Sequence, residues 1–129
     1  MRELKNAPLR VAIAGLGNVG LMHAQACLAD PEITLQAVYD PLSERLAPFP
    51  QTLHSSSFSA LLDRNRCDAI ILATPPNGHA EQARAALEHG LDVLVEKPVT
   101  TRPDDAYALE AMVRATGRVL QVGHLTRHD

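Results

Sequence analysis

Short apolar runs alternate with amphipathic stretches along the whole chain. Residues 9–14, 68–73 and 91–95 are nearly continuous apolar segments rich in β-branched side chains, the pattern of strands covered on both faces. Residues 33–39 and 118–122 read as two further strands, and a shorter one is expected near Thr52-Leu53-His54. Between them lie helical patterns. Residues 18–29 place Val19, Met22, Ala26 and Ala29 on one predicted stripe and end before Asp30-Pro31, where proline forbids continuation. Residues 58–64 predict a short helix. Residues 77–89 repeat alanine at 80, 83 and 86 with Leu87, then meet Gly90; residues 103–116 open on Pro103 and close on Gly117. Strand and helix alternate from residue 9 to residue 122, which predicts an α/β fold: a doubly wound parallel sheet with right-handed crossovers. With no repeat and no linker, residues 1–129 read as one domain.

The glycines give this sheet a chemistry. Gly15-Leu16-Gly17-Asn18-Val19-Gly20 follows the first apolar strand directly and opens the first helix. In that context Gly15 permits the tight turn, Gly17 lets backbone approach a pyrophosphate, and Gly20 lets helix pack on sheet. The helix start, with Asn18 and Val19, offers free N–H groups and a positive dipole end to phosphates. Asp40 ends the second strand, twenty residues beyond Gly20, where a carboxylate accepts hydrogen bonds from the adenosine ribose hydroxyls and repels a 2′-phosphate. The combination predicts a Rossmann dinucleotide-binding domain, strand order 3-2-1-4-5-6, holding NAD in preference to NADP. The other reading of Asp40-Pro41 is a turn, and Arg45, one helical turn on, is placed to reach a 2′-phosphate.

Two more motifs stand where the fourth and fifth strands end, the rim at which such sheets bind ligands. Thr74-Pro75-Pro76, with His79 behind it, is either a stiff wall against a ribose or nicotinamide, or a rigid helix start capped by Asn77. Glu96-Lys97-Pro98 runs a buried strand straight into two charges, which is cheap only if they are solvated or engaged by a ligand. Pro98 presses Lys97 into an extended conformation, from which its ammonium can orient a substrate hydroxyl or assist its proton transfer; the alternative is a solvated turn.

Taken in order, the glycine loop with His23, Thr74-Pro75-Pro76 with His79, Glu96-Lys97-Pro98 and Val122-Gly123-His124 resemble the amino-terminal half of the Gfo/Idh/MocA oxidoreductases, the glucose-fructose oxidoreductase and inositol dehydrogenase group. The resemblance covers essentially the whole chain. It implies hydride transfer between NAD and a secondary alcohol of a sugar, polyol or related substrate. It also implies that Lys97 lies beside nicotinamide and substrate as the catalytic residue, and Glu96 near the nicotinamide ribose. Such enzymes continue into a second α/β domain with a broad, mostly antiparallel sheet, which supplies the substrate wall and commonly a dimer interface. That domain is expected to be absent from residues 1–129, and a homo-oligomer is the assembly implied.

Composition narrows the rest. Net charge is −3 with no long basic run, and aromatics make up 3% of the chain, which argues against nucleic acid and anionic membrane surfaces as partners. No apolar run approaches a membrane span and the start, Met1-Arg2-Glu3, is charged, so a cytoplasmic protein is expected. Cys27 and Cys67 form no metal or redox pair. His124 and His128, four apart, lack a third ligand, so no metal is expected. His23 is expected to pack on the first helix, and His54 and His89 to lie at the surface. The rival functions are a non-catalytic NAD-binding or regulatory module and an NADP-dependent reductase of the same architecture. A methyltransferase is a third, against which Glu96-Lys97-Pro98 argues.

Overall fold

The computed structural model describes residues 7–96 and 102–123. Five strands form one parallel sheet: β1 (Leu9–Ala14), β2 (Ile33–Tyr39), β3 (Ala69–Leu72), β4 (Asp92–Glu96) and β5 (Leu120–Gly123). Their order is β2-β1-β3-β4-β5. Helices α1 (Asn18–Ala29), α2 (His79–Glu88) and α3 (Pro103–Thr116) lie between successive strands. Because side chains alternate across a strand, β1 feeds two cores. Val11 and Ile13 pack with Ala24, Cys27 and Phe49 on the α1 side, while Ala12 and Ala14 pack with Ala83, Ala86, Leu87 and Leu109 on the α2 and α3 side. Both faces of the central strands are thereby covered, which explains their unbroken apolar sequence.

Among the described residues the sheet has five strands where the sequence predicts six. At the expected third strand, the chain makes a 3-10 turn over Gln51–Leu53 and one isolated parallel bridge, His54 to Val38. The bridge lies beside β2, so the predicted order survives with its third place reduced to one residue pair. Pro48 and Pro50 have no N–H for a ladder, and the following Ser55-Ser56-Ser57 has little strand preference. The short helix expected over residues 58–64 is a 3-10 turn, Ser59–Leu61. Leu61 and Leu62 are both buried in it or beside it.

The stripe predicted for α1 is also displaced. Gly20, Ala24 and Cys27 face the core, while Met22, Ala26 and Ala29 are exposed. In α2 the expected face is present, with Ala83, Ala86 and Leu87 buried, but the helix starts at His79 because Pro76–Gly78 forms a 3-10 turn first. Asn77 makes no capping bond; Gly78 is the cap residue. Gly90 and Gly117 take the left-handed conformation expected of them.

Candidate functional site

The carboxyl ends of β1 to β4 open into a cleft of about 520 Å³. Its floor is the glycine loop. Gly15 turns the chain at φ +96°, and a Cβ on it would stand 2.5 Å from the Ala73 carbonyl oxygen. Its N–H donates to Tyr39 O (2.8 Å) and the Ala73 N–H to Ala14 O (2.8 Å), which ties the ends of three strands to the loop. A Cβ on Gly20 would overlap the Gly15 carbonyl, so its bare backbone lets α1 close onto the loop. This contact also sets the rotational phase of α1 and moves its buried stripe to Gly20, Ala24 and Cys27. Around Gly17 the surroundings are open: a Cβ there would have only Arg45 Nη1 within 4 Å, at 3.7 Å. Leu21 N–H is bonded to Gly17 O (2.9 Å), and no side chain caps the first turn of α1. The N–H groups ahead of Leu21 have no intrahelical acceptor and sit at the positive end of the helix dipole, which fits a diphosphate.

Asp40, just past β2, is only 3% exposed. Its Oδ2 accepts from Leu16 N–H (2.7 Å) and its Oδ1 from Leu42 N–H (2.8 Å), while Arg45 Nη1 lies 3.4 Å from Oδ2. Burial works against ionisation, but the two N–H bonds, and then Arg45, outweigh it and hold the carboxyl below its usual range. Asp40 thus pins the glycine loop to the segment after β2 and also presents a fixed negative charge to the cleft.

The opposite wall comes from β3, α2 and β4. The His79 ring is 2% exposed and its Nε2 lies 2.7 Å from the Thr74 carbonyl oxygen. A carbonyl only accepts, so Nε2 carries the hydrogen and His79 braces the Thr74-Pro75 turn from behind. The Thr74 hydroxyl donates to Gln82 Oε1 (2.5 Å). Glu96 lines the cleft from the end of β4. On α1, His23 Nε2 is buried with no hydrogen-bond partner. Burial pushes its pKa down, opposed in part by the charge of Glu96.

Of the residues predicted from sequence, the cleft gathers Gly15, Gly17, Val19, Asp40, Thr74, Pro75, His79 and Glu96. Asn18 and Pro76 are exposed outside its lining, and Gly20 acts from beneath by its packing. Lys97, Pro98, His124 and His128 lie outside the described residues. Leu42, Phe58 and Gln82 also line the cleft and carried no motif. Arg45, suspected from its distance to Asp40, does stand at the cleft. Gln82 had one available signal, its place three residues after His79 and so on the same helical face. His89 is exposed as expected, whereas His54 is half-buried with Nε2 bonded to Phe49 O (2.9 Å). Among the described residues no group of three or more His, Cys, Asp or Glu is placed to hold a metal ion, and no helix is long and apolar enough to cross a membrane.

Comparison with known proteins agrees with this geometry. The sequence model described as an oxidoreductase family with an NAD-binding Rossmann fold, GFO_IDH_MocA, matches residues 9–124. The chain is 32% identical to scyllo-inositol 2-dehydrogenase (NAD(+)) of Bacillus subtilis (strain 168) over 94% of its own length and 37% of that protein. It is 34% identical to UDP-N-acetylglucosamine 3-dehydrogenase of Acidithiobacillus ferrooxidans over 92% of its length and 38% of that protein. Among solved structures, an NAD-binding protein from Listeria innocua superposes with a TM-score of 0.81 at 30% identity, over 88% of this chain and 34% of the other. The myo-inositol 2-dehydrogenase of Lactobacillus plantarum does so with a TM-score of 0.81 at 26% identity, over 90% and 36%. The chain therefore spans little more than a third of the length of the relatives it matches.

Proposed function

Because this chain belongs to the Gfo/Idh/MocA family of oxidoreductases, through their NAD-binding Rossmann domain, we propose that residues 1–129 are the cofactor half of a dehydrogenase acting on a sugar, polyol or related secondary alcohol. The assembly is a homo-oligomer. One observation carries the cofactor reading: an uncapped helix start behind Gly15, Gly17 and Gly20 faces the same cleft as a buried, ionised Asp40.

When bound, the nicotinamide supplies the hydride chemistry. The residues of this chain bind and orient. The N–H groups of the first turn of α1, at Asn18 and Val19, take the diphosphate, which Gly17 admits by lacking a side chain. Asp40 accepts the adenosine ribose hydroxyls and disfavours a 2′-phosphate, so NAD is preferred to NADP. Thr74-Pro75, braced by His79, forms the wall of the cleft, and Glu96 faces the nicotinamide ribose. Lys97, following β4, orients the substrate hydroxyl and moves its proton. The relatives' names, an inositol and a UDP-sugar dehydrogenase, support a polyhydroxylated substrate class. Free, buried Cys27 and Cys67 suit a reducing, cytoplasmic setting.

Titration of the chain with NADH, followed by nicotinamide fluorescence, tests the reading. Saturable binding that ADP-ribose displaces is expected. Absence of saturation, or displacement by S-adenosylmethionine instead, overturns it.

A further inference from the structure

Gln82 lies in a place that the dinucleotide motifs do not explain. It stands one helical turn after His79, and the two grip Thr74 from both ends. His79 Nε2 holds the Thr74 carbonyl (2.7 Å), and Gln82 Oε1 accepts from the Thr74 hydroxyl (2.5 Å). The amide is thereby held in one orientation across the cleft wall. Its Nε2 carries two hydrogens, and none of the described residues accepts a hydrogen bond from them. The same cleft is also lined by Leu42, Phe58 and Pro75, flat or apolar surfaces suited to cover a ring's faces and leave its edge to be paired. Asp40 and Arg45 line the same cleft, so a base attached to the ribose that Asp40 holds falls between these walls.

A carboxamide fixed in this way matches the amino edge of a purine: its oxygen accepts from the N6 amino group while its nitrogen donates to N7. We propose that Gln82, held by Thr74, reads the adenine edge of the dinucleotide and makes this cleft selective for adenine over hypoxanthine. The proposal rests on the NAD-binding reading above and adds the residue that recognises the base. Hypoxanthine presents a carbonyl where adenine presents the amino group. The Gln82 oxygen then meets another acceptor, and the bond from Thr74 opposes rotation of the amide to relieve it.

Calorimetric titration of the full 129-residue chain with NAD+ and with nicotinamide hypoxanthine dinucleotide is the test. The chain should bind NAD+ on the order of tenfold more tightly, the discrimination of one bidentate pair. Gln82→Leu should bind both dinucleotides alike, at the weaker level. Gln82→Glu, which has the same length, keeps the acceptor that tells the N6 amino group from a carbonyl and loses only the N–H to N7 that both bases share, so it should weaken both dinucleotides and retain the preference, with melting curves verifying that both variants fold. Equal affinity of the unaltered chain for the two dinucleotides, or a preference that persists in folded Gln82→Leu, overturns the assignment while leaving NAD binding intact. If the unaltered chain binds neither, the cofactor reading itself fails and this one falls with it.

Discussion

Asp40→Asn separates the two tasks of the carboxylate at the end of β2. The substitution keeps the shape but leaves one acceptor oxygen where two N–H groups need one each, Leu16 at 2.7 Å and Leu42 at 2.8 Å. Whichever way the amide turns, an N–H meets another donor, in a residue that is 3% exposed. A hydrogen bond to a charged group contributes about 1.5–3 kcal/mol. The Arg45 side chain, nearly half exposed, adds under about 1 kcal/mol after screening. A loss of about 2–4 kcal/mol, at roughly 3–4 °C per kcal/mol for a domain of this size, lowers the melting temperature by roughly 10 °C. Binding should change asymmetrically. NAD+ loses a charged ribose acceptor, while NADP+ also loses a repulsion, so the affinity ratio moves toward NADP+.

The pH dependence follows from the same bonds. The folded carboxyl ionises at lower pH than the unfolded one, so its contribution is present above the unfolded value and is lost as pH falls below about 4 toward the lowered one. Asp40→Asn lacks that contribution. Calorimetric melts across pH and paired titrations with NAD+ and NADP+ read both effects. A shift under about 2 °C would mean that the N–H groups had found other partners. Equal losses for the two cofactors would mean that Asp40 does not face the ribose.

Two further predictions probe the floor of the cleft and the helix above it. Gly17→Ala should melt like the parent, since only Arg45 Nη1 comes within 4 Å of the new methyl, yet bind NADH poorly. Gly20→Ala drives its methyl into the Gly15 carbonyl and should lose about 1–3 kcal/mol of stability as well as binding; identical behaviour of the two variants in melting and NADH titration would refute the division of labour. His23 is held below its ordinary pKa by burial, against the pull of Glu96. The unfolded chain therefore binds the proton first, and stability falls as pH drops below about 6.5. His23→Leu should gain stability over the parent increasingly from pH 8 to pH 5.5, and a gain independent of pH in thermal melts would rule this account out.

Much of the site was legible because its requirements are local. A left-handed turn needs glycine at 15, and the run Gly15-Leu16-Gly17-Asn18-Val19-Gly20 between an apolar strand and a helix has few other uses. Likewise the alternation of β-branched runs with alanine-rich helices specified a parallel sheet covered on both faces. What sequence did not specify is what depends on contacts between distant segments. Which side of α1 is buried was decided by Gly20 meeting the Gly15 carbonyl, not by apolar spacing, so the stripe through Met22 was misleading. The third strand failed because one bridge at His54 was all that its proline-flanked segment could add to β2. Gln82 became a site residue only when β2 and β3 were laid on either side of β1. Periodicity and turn chemistry act over a few residues and can be read along the chain, whereas the hydrogen-bond partners of Asp40 and Thr74 exist only once the sheet has brought its strand ends together.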